Sequence, residues 1–255
     1  MARFTVSFRS EVLGSLAHAE IIFPQVPLGA QPTQRVLYLL HGMSDGCVAW
    51  LENTRIVQYA NQHGYIVVCP EVGNSFYADM VHGPHYFTYV TRELPAFIEQ
   101  TMNIKHSRAN TFVAGFSMGG YGAMKMALTR PDFYASVAAF SGALDAERVF
   151  IDLPQQNEYR KKLAISIVGH DLKVPPEGDL FALASALADK DVKPRVLVTC
   201  GDEDFLLEGN RKFDTHMKAL PFDYQYKEWP GVHDWNFCEQ CLPVMFEFFG
   251  QAATH

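Results

Sequence analysis

Thr111-Phe112-Val113-Ala114-Gly115-Phe116-Ser117-Met118-Gly119-Gly120-Tyr121-Gly122-Ala123 is the stretch on which the fold turns. It begins as an apolar, β-compatible run, passes through G-x-S-x-G and continues into a segment of helical character. A serine between two glycines, placed between strand and helix, is the pattern of a nucleophile elbow. There the backbone reverses so sharply that only small neighbours fit, and the hydroxyl stands clear at the top of the sheet. The helix that follows would bring the Met118 N–H and a partial positive charge to an oxygen reacting at Ser117.

Similar apolar runs recur on both sides: Val36 to Leu40, Tyr65 to Cys69, Ser136 to Phe140 and Val196 to Cys200. Each reads as a strand covered on both faces. Helical periods separate them at Asn53 to Asn61, Thr88 to Met102, Gly120 to Arg130, Phe181 to Lys190, Asn210 to Leu220 and Trp235 to Phe249. This alternation predicts a mostly parallel α/β sheet with helices on both faces. Arg3 to Arg9 and Ala17 to Phe23 alternate polar and apolar residues around Gly14 and predict an antiparallel pair at the N-terminal edge. Residues 144–178 have mixed polarity, Pro154, Pro175 and Pro176, and no sustained period, so they read as an insertion over the strand ends. With no linker or repeat, residues 1–255 read as one domain.

Composition excludes several functions. Lys and Arg number 21 against 28 Asp and Glu, a net charge of −7, which argues against a nucleic-acid partner. No run is apolar enough for a membrane span, and the N-terminus lacks a signal peptide's apolar core. The 5 cysteines, an odd number, predict reduced thiols in a cytoplasmic setting.

A serine nucleophile requires a base and an acid, which on such a sheet follow in the order serine, acid, histidine. The strand Val196 to Cys200 ends in Gly201-Asp202-Glu203-Asp204-Phe205-Leu206, and Asp204 is the preferred acid, with Asp202 as the alternative. After the strand-like run Tyr224 to Trp229 comes Pro230-Gly231-Val232-His233-Asp234-Trp235. His233 has the loop placement of a catalytic base, whereas His216 falls within a helical segment and His255 at the terminus. Asp234 reads as the cap of the last helix. The second oxyanion donor should come from the loop after an early strand, which points to the Met43 N–H in His41-Gly42-Met43-Ser44-Asp45-Gly46, with Ser44 in reserve. His41 reads as a brace of that loop. Trp50 and Tyr77, with Phe76 and Asp79, follow strand ends and are candidates to line a substrate pocket.

Other chemistry-bearing residues read as structural. Cys238-Glu239-Gln240-Cys241 lacks a second ligand pair, and His82 and His85 lack a third ligand, so no metal is expected. Cys200 ends a buried strand and is rejected as a nucleophile.

These residues resemble the α/β-hydrolase superfamily and, more narrowly, the esterase D group that includes tributyrin esterase-like carboxylesterases. The likeness is carried by Leu40-His41-Gly42-Met43 with Trp50 downstream, Gly115 through Ala123, Ser141-Gly142-Ala143, Gly201 through Leu206, and Gly231-Val232-His233-Asp234-Trp235. It spans most of the chain in the expected order. The resemblance implies cofactor-free hydrolysis of short acyl esters through an acyl-enzyme on Ser117, and it favours Asp204 as the acid. Relatives acting on S-formylglutathione typically place one residue between that acid and Phe-Leu, whereas Phe205 follows Asp204 directly, which leans away from that thioester. Feruloyl and acetyl-xylan esterases share much of the pattern. A non-catalytic binding module on the same fold, and acyl transfer to an alcohol, are the remaining alternatives. The resemblance makes a homo-oligomer admissible, although no heptad or apolar patch in the sequence marks an interface.

Overall fold

Continuous apolar strands are stable only when both faces are covered, and this requirement organises the molecule. The computed structural model describes residues 1–31, 33–152 and 157–251. Its strands are β1 (Ala2–Arg9), β2 (Leu16–Phe23), β3 (Val36–Leu40), β4 (Ile66–Pro70), β5 (Thr111–Phe116), β6 (Ser136–Phe140), β7 (Arg195–Gly201) and β8 (Tyr224–Trp229). They form one sheet in the order β1-β2-β4-β3-β5-β6-β7-β8. The pairs β1–β2 and β2–β4 are antiparallel, and every pair from β4 to β8 is parallel. The mostly parallel sheet with an antiparallel N-terminal edge is therefore the one read from the sequence.

The helices are α1 (Ala49–Asn53), α2 (Ile56–His63), α3 (Tyr86–Thr88), α4 (Leu94–Met102), α5 (Met118–Thr129), α6 (Glu158–Val168), α7 (Leu180–Leu187), α8 (Leu207–Lys218) and α9 (Trp235–Gln251). A π-helical turn, Tyr89–Glu93, joins α3 to α4. Alternate strand residues feed two cores. Val36, Tyr38, Leu40 and Val113 pack with Leu94, Met124, Leu180 and Phe213 of α4, α5, α7 and α8. Leu37, Leu39, Phe112 and Ala114 pack against Trp50, Ile56 and the Phe237, Leu242 and Phe246 side of α9.

Parallel register brings the strand ends level, with Leu40 beside Gly115, Phe116 beside Phe140 and Gly201 beside Trp229. The loops that follow these ends therefore meet at the carboxyl edge, where open sheets of this kind bind ligands. From the described part of residues 144–178, Val149, Phe150, Arg160, Leu163, Ala164 and Ile167 line a pocket at that edge. The sequence of this segment shows no sustained period, yet the described part contains α6, together with a π-helical turn at Arg148–Asp152 and a short 3-10 turn at Pro176–Gly178. The helix begins where Asn157 accepts hydrogen bonds from the Tyr159 and Arg160 N–H groups. Pro154 lies outside the described residues. Among the described residues, no helix is long and apolar enough to cross a membrane.

Candidate active site

Ser117 occupies the turn between β5 and α5 with φ 57° and ψ −116°, a conformation that costs energy for a residue with a side chain. Three hydrogen bonds hold it there. The Ser117 N–H donates to the Phe140 carbonyl at 3.0 Å, and the Ser117 carbonyl accepts from the Ala143 N–H at 3.0 Å and the Tyr121 N–H at 3.1 Å. The flanking glycines are required by contact. A Cβ on Gly115 would lie 2.3 Å from the Gly119 carbonyl carbon, and one on Gly119 would lie 2.2 Å from the Leu40 carbonyl oxygen. Both obstacles are backbone, so neither can swing aside.

The Ser117 Oγ lies 2.9 Å from His233 Nε2, and His233 Nδ1 lies 2.8 Å from Asp204 Oδ2. An ionised carboxylate only accepts, so Nδ1 carries the proton and Nε2 is left to accept from the serine hydroxyl. Asp204 follows β7 and His233 follows β8, the adjacent strand, so the sheet itself sets their separation. The imidazole lies between the rings of Phe116 and Phe205, each with its centroid 4.5 Å away. Asp204 is buried, and its second oxygen accepts from the Leu206 N–H at 2.8 Å. Burial pushes this carboxyl's pKa up, but the hydrogen bond and charge of His233, with the Ser141 hydroxyl and the Leu206 N–H, bring it below the ordinary value. Asp202 is exposed instead, and accepts from the Gly231 N–H at 3.2 Å. Asp234 accepts from the Phe237 N–H at 2.8 Å and so caps α9.

Met43 is half-buried in the loop after β3 and lines the space above Ser117, and its N–H has no acceptor among the described residues. Met118 is the first residue of α5, where an N–H has no acceptor within the helix. The loop carrying Met43 is braced from beneath. The buried His41 donates from Nδ1 to the Gly42 carbonyl at 2.8 Å and accepts at Nε2 from the Val72 N–H at 3.3 Å, which defines a neutral tautomer. Asn74 accepts from the Ser44 N–H at 2.7 Å. Asp45, half-buried nearby, has its pKa raised by burial, an effect that its nearness to His41, the Gly42 N–H and His233 partly opposes.

A pocket of about 50 Å³ opens over Ser117. Apolar side chains form most of its wall, among them Met43, Phe76, Phe150, Leu163, Ile167 and Phe205, and Arg160 supplies the one charged group among the described residues. Trp50 and Tyr77, expected to line it, do not. Both are fully buried. The Trp50 indole N–H donates to the Leu40 carbonyl at 3.0 Å, and the Tyr77 hydroxyl donates to the His41 carbonyl at 3.0 Å. Through these bonds they hold the loop under the pocket. Sequence reading passed over the α6 residues Arg160, Leu163, Ala164 and Ile167. Their one signal was the apolar spacing Leu163, Ala164, Ile167, diluted by Lys161 and Lys162 on the solvent side.

Cys200 is buried and its thiol is pushed up to about 12 by that burial, the opposite of an activated nucleophile. Cys238 and Cys241 are buried in the core beneath α9, with the Cys241 sulfur 3.2 Å from the Thr199 hydroxyl. His82 and His85 are exposed on a loop, and the His82 ring lies edge-on to His170.

A family model described as "Putative esterase" matches residues 10–249. An acetyl esterase of Caldicellulosiruptor saccharolyticus is 31% identical over 224 residues, covering 86% of this chain and 84% of its own. Among solved structures, the fluorophosphonate-binding serine hydrolase F of Staphylococcus aureus superposes with a TM-score of 0.87 at 27% identity, covering 100% of this chain and 99% of its own. An S-formylglutathione hydrolase of the same organism gives 0.84 at 29% identity, covering 97% and 98%. With a family match over nearly its whole length and this sheet beneath it, the chain belongs to the esterase family of the α/β-hydrolases and is a carboxylic ester hydrolase.

Proposed function

We propose that the protein is a serine carboxylesterase for short acyl esters, of the tributyrin esterase-like kind within the esterase D group. The observation that carries this reading is the unbroken hydrogen-bonded line from Ser117 through His233 to Asp204, opening on a small apolar pocket. In this mechanism His233 Nε2 takes the Ser117 proton as Oγ attacks the ester carbonyl. Asp204 holds the ring and stabilises the imidazolium, and the Met43 and Met118 N–H groups receive the oxyanion. His233 then protonates the departing alkoxide. Water, deprotonated by the same imidazole, releases the acid from the acyl-enzyme.

At about 50 Å³ the pocket lies far below the roughly 300–1,000 Å³ of sites for drug-sized ligands, which favours an acyl group of few carbons. Phe205 directly after Asp204 weighs against a glutathione thioester. All five cysteines are unpaired, in keeping with a reducing, cytoplasmic setting.

The test is a set of initial rates on acetyl, butyryl and octanoyl p-nitrophenyl esters, methyl ferulate and S-formylglutathione, with Ser117→Ala protein as the blank. Serine-dependent turnover peaking at acetyl or butyryl is the expected result. A peak at octanoyl, ferulate or the thioester would overturn the substrate assignment, and turnover surviving in Ser117→Ala would overturn the mechanism.

A further inference from the structure

Eight residues along α5 from Ser117, about 12 Å at the helical rise, Lys125 is buried with only 5% of its surface exposed. Its ammonium forms neither a hydrogen bond nor an ion pair with any described residue; its near neighbour is the Phe87 ring, 4.5 Å from Nζ to the centroid. It borders a cavity of about 240 Å³ distinct from the catalytic pocket. Phe87, Tyr121, Val168 and Val174 line that cavity, while Phe150 and Ile167 form a partition shared with the pocket over Ser117. The other titratable groups on the cavity are accounted for. The Tyr121 hydroxyl donates to the Gly178 carbonyl at 2.8 Å. Asp79 accepts from the Thr88 N–H at 2.8 Å and from the Thr88 hydroxyl at 2.6 Å. Glu177 is exposed, as is Asp79.

An ammonium on a mostly buried side chain is stabilised by an acceptor, and the cavity that Lys125 lines has room for one. We propose that this cavity is a binding site for a small organic carboxylate, whose charged end pairs with Lys125 and whose hydrocarbon end packs between Phe87 and the Phe150–Ile167 partition. Cavity size limits the guest to a short chain, since the space holds about eight waters' worth of volume. Asp79 and Glu177 are exposed, so solvent weakens their attraction for Lys125, and that attraction is the competition a guest carboxylate has to win. Burial lowers the amine's pKa to about 8 while the two carboxylates oppose that fall, so the amine is charged at neutral pH. An acid product of esterase turnover and an unrelated metabolic acid share this chemistry. The site stands whether or not the reading of the substrate above is right.

Butyrate is the probe, titrated at pH 7 into Ser117→Ala protein and followed by backbone amide NMR. Ser117→Ala removes the nucleophile, so no chemistry intervenes. The expected result is saturable perturbation of Phe87 and Val168, which line this cavity and neither the pocket over Ser117 nor the one at Lys173 and Lys212, with neutral butyramide binding at least about tenfold more weakly. Adding Lys125→Met or, should that variant fail to fold, Lys125→Gln should weaken butyrate by about tenfold or more. Perturbation confined to Met43 and Phe205, equal affinity after loss of the ammonium, equal affinity for butyramide, or no saturation up to about 100 mM would overturn the proposal.

Discussion

The pocket over Ser117 and the cavity at Lys125 share a helix and a wall, yet they treat buried charge in opposite ways. At the first, Asp204 receives the His233 N–H and the Leu206 N–H, and the ring it orients meets the Ser117 hydroxyl. Every demand of the buried carboxylate is met from within the chain, and its pKa ends below the ordinary value. At the second, Lys125 meets an aromatic face and open space, and its pKa ends lowered to about 8. A buried charge is inexpensive where partners converge on it and expensive where they do not. The first arrangement is closed by partners within the chain, whereas the second leaves room for the guest proposed above.

The sharpest way to break this comparison is at Asp204. Asp204→Asn keeps the shape but offers the wrong partner to the imidazole, and kcat should fall by about 10⁴-fold. Asp202→Asn loses only an exposed acceptor of the Gly231 N–H and should cost less than about tenfold. The reverse ranking in steady-state kinetics would move the acid by two residues. A pH dependence accompanies it. Because the folded pKa of Asp204 lies below its ordinary 3.8, its contribution to stability is present above that value and is lost as pH falls through the folded one. The gap in unfolding free energy between wild type and Asp204→Asn should close in that window.

A second break tests the elbow itself. Gly119→Ala places a Cβ 2.2 Å from the Leu40 carbonyl oxygen, and neither backbone can yield without displacing β3 or α5. A loss above about 4 kcal/mol is expected in urea denaturation, with activity falling in parallel. A variant of wild-type stability would show that the turn has slack to accept a side chain.

The same contrast explains what the sequence made legible. Ser117, Asp204 and His233 were readable because each closes a strand of recognisable period, and a parallel sheet turns chain order into spatial order. The edge pair β1–β2 was readable from its alternation. Helix α6 was not, because its few apolar residues answer to a pocket rather than to the core, and Lys161 and Lys162 interrupt the period. Trp50 and Tyr77 were misplaced for a related reason. Aromatic residues after strand ends look alike in sequence whether they face a ligand or, as here, tie down a carbonyl. Lys125 was invisible, since a lysine within a helical run reads as solvent-facing until the fold encloses it.

Lys125→Met sharpens the other half of the comparison. Below pH 8 the amine is charged in both folded and unfolded chains, so the folded state bears the whole burial cost. As pH rises from about 8 toward the ordinary 10.5, the folded amine becomes neutral first and wild-type stability rises. The variant lacks this cost. It should therefore be more stable than wild type by up to about 3 kcal/mol at pH 7, an advantage that fades by about pH 10.5. Denaturant titrations at the two pH values give the difference, and saturating butyrate should narrow it at pH 7. A destabilised variant at pH 7 would mean that the ammonium already has its partner.

The smallest effect tests the link between α6 and the loop carrying Met43. Asn74 accepts from the Ser44 N–H, beside Met43, and donates to the Tyr159 hydroxyl of α6 at 2.8 Å, so one side chain ties α6 to the loop carrying Met43. Tyr159 is exposed, and an exposed hydrogen bond contributes about 1 kcal/mol or less. Tyr159→Phe should therefore lower kcat/KM about two- to fivefold, through KM, with little change in Tm. Asn74→Ala removes both bonds and frees the Ser44 N–H, so its loss should be larger and should reach kcat. If Tyr159→Phe and Asn74→Ala behave alike, α6 rather than the loop carries the effect, and the Met43 N–H is held by His41 and its neighbours alone.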